Sequence, residues 1–163
     1  MLKVGQTIMY RRDVCTVKQR LKNFREDQDY YKLAPHYDQS LLINAPVDTV
    51  NQSFRKLLTR TEIDSLISNI PDIQCVDVED RTLEAVYKDL YHSEKHEDLV
   101  KIIKTAYMRG EKKLQKGLKR SERDKEYFRK AEKALYSELA VVLGKTVDDT
   151  REYVVGRVAA LAG

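Results

Sequence analysis

Leu99-Val100-Lys101-Ile102-Ile103-Lys104-Thr105-Ala106-Tyr107 is the stretch on which the reading of the fold turns. Leu99, Ile102, Ile103, Ala106 and Tyr107 fall at i, i+3, i+4, i+7 and i+8, one apolar stripe along a helix, with Lys101 and Lys104 outside it. The same period recurs on either side. Upstream, Thr61 with Asp64 three residues on can cap a helix carrying Ile63, Leu66 and Ile67, which Asn69-Ile70-Pro71 ends. A second helix is predicted over Asp80 to His92, with Leu83, Val86, Tyr87 and Leu90 on one face. Downstream, Ser121-Glu122-Arg123-Asp124 reads as a capping box opening a long helix with Phe128, Ala131, Leu135, Leu139 and Val142 on its apolar face and Gly144 at its end. Thr146, with Asp149 three residues on, opens a last helix bearing Tyr153, Val154, Val158 and Leu161.

Residues 2 to 45 follow a different rule. Thr7-Ile8-Met9-Tyr10, Val14-Cys15-Thr16-Val17, Tyr30-Tyr31-Lys32-Leu33 and Leu41-Leu42-Ile43 are short runs of β-branched, aromatic and aliphatic residues, with polar connections such as Lys22 to Asp29 and Pro35 to Gln39. Such runs predict a small antiparallel barrel or curled sheet, with an edge left open unless something covers it. Pro46-Val47-Asp48 begins a less regular stretch, read as a linker running to Thr59. The fold class is therefore α+β: a β-barrel domain with its linker over residues 1–58, then an all-helical domain of about five helices over 59–163.

Charge is sorted along the second domain. Lys101 to Lys133 holds thirteen Lys/Arg against five Asp/Glu, whereas the chain from Thr59 onward balances at twenty of each. A local excess of +8 between flanks of −8 makes a field that attracts phosphates, and it favours a nucleic-acid partner over an acidic metabolite. At its centre, Arg109 to Arg120 has six basic residues, one acidic residue and two glycines. It reads as a basic connection between helices, able to follow a phosphate backbone.

Several function classes find no support. No apolar run approaches a membrane span, and Met1-Leu2-Lys3-Val4 lacks a signal peptide's apolar core, so a cytoplasmic protein is expected. Cys15 and Cys75 form no C-x-x-C pair and read as reduced core residues. His92 and His96, four apart, can share a metal only with a third ligand that the sequence does not supply nearby, so no metal is expected. Phosphate-loop, dinucleotide-binding, zinc-protease and nucleophile-elbow motifs are all absent, so the reading is a protein without catalytic residues, cofactor or small-molecule substrate. Ten tyrosines without a tryptophan suggest stacking surfaces for bases, but Tyr87, Tyr107 and Tyr127 fall at spacings of half-buried helix residues whose hydroxyls reach the surface.

The order of segments resembles the CarD family of bacterial transcription regulators, also called CarD/CdnL. The resemblance is carried by Lys3 to Tyr10 with Val14 to Val17, by Tyr30 to Leu33 with Pro35, and by Ala45-Pro46-Val47-Asp48 and Arg55-Lys56-Leu57. It continues through Leu99 to Thr105, Tyr127 to Glu132, and Leu135 to Ala140 closed by Leu143-Gly144. It implies a Tudor-like barrel that binds the RNA polymerase β subunit and a helical domain that contacts promoter DNA at the upstream edge of the transcription bubble. Together these would modulate open-complex stability.

Two sets of site residues follow. The polymerase-binding strand corresponds to Leu41, Leu42, Ile43 and Asn44, where β-augmentation uses main-chain groups; many relatives have arginine at the position of Asn44. Relatives also carry a wedging tryptophan, but the corresponding stretch here is Asp77-Val78-Glu79-Asp80-Arg81 and the chain has no Trp. The resemblance carries over Arg81, Arg109 and Lys125 as DNA-facing. With Lys101, Lys104, Lys112, Lys113, Lys116 and Lys119 they would supply most DNA affinity as phosphate contacts, weak alone and without strong sequence specificity. A protein-interaction module with no direct DNA role is the alternative.

Overall fold

The computed structural model describes residues 1–162 and divides the chain into two compact units, Met1–Thr59 and Arg60–Gly163. No helix among the described residues is long and apolar enough to cross a membrane.

The first unit is a four-stranded antiparallel half-barrel sheet, ordered β1 (Thr7–Tyr10), β2 (Asp13–Arg25), β3 (Gln28–Pro35) and β4 (Ile43–Pro46), followed by helix α1 (Val47–Ser53). Its core gathers Ile8, Tyr10, Cys15, Val17, Tyr31, Leu33 and Ala45 from the strands and Val47 and Val50 from α1. The segment read as a linker thus contains a helix, because Val47 and Val50 lie on one helical face and close the core.

The polar stretch Lys22 to Asp29 is not a loop either. Strands β2 and β3 run through it as a ribbon largely open to solvent, so neither face needs apolar residues. The ribbon is held by Asp29, which accepts from Arg20 Nη2 at 2.9 Å and from the Asn23 backbone N–H at 3.1 Å. These bonds, the backbone one foremost, keep its carboxyl below the usual range. Both tight hairpins turn through pairs of left-handed residues, Arg11-Arg12 (φ 50° and 68°) and Glu26-Asp27 (φ 49° and 58°). Two-residue turns of this hand normally announce themselves as Asn-Gly or Asp-Gly, and neither pair does.

Leu41 and Leu42 are not in a strand. Asp38 accepts from the Ser40 backbone N–H at 3.0 Å and its carbonyl takes the Leu41 N–H at 3.1 Å, so the turn persists and β4 begins only at Ile43. The sheet's two edges differ. Arg55 exchanges two backbone bonds with Met9 on β1, at 2.8 and 2.9 Å, whereas β4 pairs with β3 alone.

The second unit contains α2 (Arg60–Asn69), a 3-10 turn (Ile70–Asp72), α3 (Asp80–His92), α4 (His96–Gln115), α5 (Glu122–Leu143) and α6 (Val147–Ala162). Helix α2 starts a residue before Thr61, which therefore lies inside its first turn and does not cap it. The other caps form: Ser121 Oγ and Thr146 Oγ1 accept from the backbone N–H groups of Asp124 and Asp149, each at 3.0 Å, and Gly144 (φ 65°) closes α5. Helices α4 and α5 form an antiparallel pair, tied at one end by His96 to the buried Glu138 (2.8 Å) and at the other by Arg109 to Asp124 (3.2 Å). His92 and His96 consequently belong to different helices, and His92 Nδ1 lies 2.7 Å from the Lys88 carbonyl.

Cys15 is buried and Cys75 is exposed, which corrects the expectation of two core cysteines. Burial foremost, and then the charge of Asp13, push the Cys15 thiol up to about 11. Iodoacetamide at pH 8 should therefore add one group to the native chain, at Cys75, and two in denaturant, read by intact mass. Equal labelling of both cysteines in the native state would contradict this core.

Candidate nucleic-acid interface

The nine residues expected to face DNA fall into three groups. Lys104 and Arg109 are engaged by the fold. Lys104 Nζ donates to the carbonyls of Ile70 and Ile73, the latter at 2.8 Å, and so ties α4 to the 3-10 turn. Arg109 lies between acidic residues in the first turns of two other helices, Asp80 of α3 at 3.0 Å and Asp124 of α5 at 3.2 Å. Asp124 is 2% exposed and also accepts from the Tyr87 hydroxyl at 2.7 Å. Burial works against the Arg109 charge, but Asp124 and Asp80 more than compensate and raise its pKa. The same arrangement, burial foremost and then Asp124, raises that of Tyr87.

Tyr87 and Tyr127 are thus buried, with hydroxyls bonded to Asp124 and Glu84 and not free at the surface; Tyr107 alone of the three is exposed. The second group, Arg81, Lys101 and Lys125, is more open, but each sits beside an acidic neighbour in sequence. The distances are 2.6 Å to Glu79, 3.6 Å to Asp98 and 3.3 Å to Glu122.

The third group is Lys112, Lys113, Lys116 and Lys119. The segment read as a basic connection is helix as far as Gln115, and Gly110 lies buried in its interior. A β-carbon at Gly110 would stand 3.0 Å from Arg120 Nε, so the glycine makes room for the returning Arg120 side chain, which pairs with Glu111 at 3.2 Å. Helix α4 then ends in a double-bonded cap: Leu118 N–H to the Lys113 carbonyl at 2.8 Å and Gly117 N–H to that of Leu114 at 3.0 Å, with Gly117 at φ 74°. The four lysines surround this terminus, where the negative end of the helix dipole favours cations. Among the described residues Lys112, Lys116 and Lys119 are exposed and make no ion pair, while the half-buried Lys113 adds its field to Asp80.

Two residues at this end escaped the sequence reading. Leu114 and Leu118 are 50% and 55% exposed among the lysines. Leu114 lies eleven residues after Ile103, three helical turns along the same stripe, beyond the point where the stripe has a core to cover. That spacing was the available signal.

In the first unit, the four residues expected to pair with polymerase are divided. Ile43 and Asn44 lie on β4, opposite Leu33 and Lys32, and Leu41 and Leu42 are exposed just before it.

Removing the Asp124 carboxylate leaves Tyr87 and Arg109 short of a buried acceptor. Asp124→Ala should lower the unfolding free energy of the full chain by about 3 kcal/mol in urea, whereas Lys116→Ala should change it by less than about 0.5 kcal/mol. Gly110→Ala alone sets a helix-propensity gain against a displaced Arg120 and should be nearly neutral. With Arg120→Ala added, the gain should emerge as about 1 kcal/mol. Equal costs for Asp124→Ala and Lys116→Ala, or a strongly destabilised double variant, would contradict these assignments.

No protein-family model matches the chain, and no curated protein sequence matches it.

Proposed function

We propose that the chain is a CarD-like transcription regulator. Its Tudor-like first unit would bind the RNA polymerase β subunit by β-augmentation at β4, and its helical unit would contact promoter DNA at the upstream bubble edge, modulating open-complex stability without catalysis. The observation that carries the DNA half of this reading is the lysine cluster at the end of α4, in which Lys112, Lys116 and Lys119 are exposed and have no carboxylate paired to them among the described residues. The half concerning polymerase draws on the resemblance to the family and on β4, an edge strand followed by no further strand among the described residues and preceded by the exposed Leu41 and Leu42.

Four lysines of this kind bind phosphates by releasing counterions and read no bases. The logarithm of affinity for a forked promoter should fall with the logarithm of salt concentration at a slope of about −3 to −4. Affinity in isolation is then low, and polymerase makes it useful by holding the protein beside the promoter at high effective concentration. The triple variant Lys112→Glu, Lys113→Glu, Lys116→Glu should lose the salt-dependent promoter contact while still co-purifying with polymerase. Leu41→Glu with Leu42→Glu should do the reverse. Binding of the triple variant to the promoter complex as tightly as the parent would sink the DNA role.

A second reading, protein contact at the same end of α4, is favoured by the exposed Leu114 and Leu118. It predicts that Leu114→Ser with Leu118→Ser weakens the complex with polymerase in the absence of DNA.

A further inference from the structure

Toward the end of α4 the helical unit gathers more positive charge than it compensates. Arg109 is paired with Asp124 at 3.2 Å and with Asp80 at 3.0 Å, but two further cations converge on Asp80 without a carboxylate of their own. Arg123 Nη1 donates to the Asp80 main-chain carbonyl at 3.2 Å, and Lys113 lies one helical turn beyond Arg109 on α4. Neither cation forms an ion pair among the described residues, and both are half-buried. Arg123 Nε is even sealed from solvent with no partner among them. A half-buried cation normally sits against an anion, because desolvation penalises a bare charge. Arg109, Lys113 and Arg123 against Asp80 and Asp124 leave one positive charge uncompensated.

Asp80 reports the same convergence. The hydrogen bond from Arg109 foremost, and then the charges of Arg109, Arg123 and Lys113, hold its carboxyl below the usual range. Its side chain is nevertheless 73% exposed, whereas that of Asp124 is 3% exposed. Asp124 is thus part of the interior, and Asp80 is a surface carboxylate beside three cations, where an incoming oxyanion would bind. Lys113 also belongs to the lysine cluster, being flanked on α4 by Lys112 and followed by Lys116. A polyanion lying on that cluster would have its next charge within reach of Asp80.

We propose that Asp80 fills a phosphate subsite of the candidate nucleic-acid interface, made by Arg109, Lys113 and Arg123, and acts there as a brake on one backbone phosphate contact. The subsite rests on the DNA half of the proposed function. It adds Arg123 to the contacting residues and gives the first acid of α3 a role opposed to theirs.

The test is the fluorescence anisotropy of a labelled forked duplex of arbitrary sequence, titrated with the full chain between about 50 and 200 mM salt. Asp80→Asn removes the charge and keeps an oxygen for Arg109. It should bind about tenfold more tightly at the low-salt end and steepen the salt slope by about 1, the increment of one added phosphate contact. Asp80→Ser, also suited to the first turn of a helix, provides the same comparison where the asparagine variant does not fold. Asp89→Asn makes the same change of net charge at an exposed position of α3 and should shift affinity less than about twofold. In an Arg123→Gln background the gain from Asp80→Asn should disappear. Parent-like binding by the Asp80 variants, an equal gain from Asp89→Asn, or a gain that survives Arg123→Gln would each overturn the subsite. The DNA reading itself fails separately, when the Lys112→Glu, Lys113→Glu, Lys116→Glu variant binds this duplex as the parent does.

Discussion

The helical unit depends on a single charge placement, the Arg109 guanidinium held between Asp80 and Asp124. Each of these acids sits in the first turn of its helix, where exposed N–H groups already favour a negative charge. Arg109 therefore draws two like-signed helix ends to one point on α4, and Tyr87 bonds the buried one from below. A buried ion pair by itself contributes little, since desolvation cancels most of the attraction. Here its effect is positional, because loss of any member would leave a charge or a hydroxyl unsatisfied in the interior. Three helices are thereby fixed in register, and α4 runs on past Arg109 into a last turn, residues 112–115, that is mostly exposed.

That exposed last turn separates basic residues that look alike in sequence. Arg109 and Lys112 are three apart on one helix, yet one is enclosed by two carboxylates and the other is open to solvent. Composition identified the basic segment and periodicity identified the helices, so the region of the candidate site was legible. Which cations remained available was not legible, because it depends on acids fifteen to thirty residues away and on Gly110 admitting Arg120. A glycine in a helix interior reads as a break from sequence alone. Here the space it leaves is filled by a side chain from the following loop.

In the first unit the division between legible and illegible is of another kind. Strands that line a core carried the expected runs, as at Thr7 to Tyr10 and Tyr30 to Leu33. The outer half of the β2–β3 ribbon covers nothing, so no apolar alternation marked it, and its turn uses Glu26-Asp27 without glycine. Leu41 and Leu42 misled in the opposite direction. They are exposed, and the Asp38 turn keeps them out of the ladder.

The remaining charge of the helical unit bears on how an electrostatic contact would work. Outside Lys101 to Lys133 the unit is −8, with Asp77, Glu79 and Asp80 close together in sequence just ahead of α3. In the proposed role, such segregation along the chain would disfavour a polyanion at the acidic flanks and favour it at the basic segment, so the field would help to orient the contact. The cost would be a contact that four lysines alone would hold weakly and that salt would weaken further. Weak, oriented and indifferent to sequence is a sensible combination only for a protein that something else delivers to its site. In the proposed role, the edge strand β4 of the first unit would serve that delivery, and the lack of a tryptophan in this chain would make the dependence stronger.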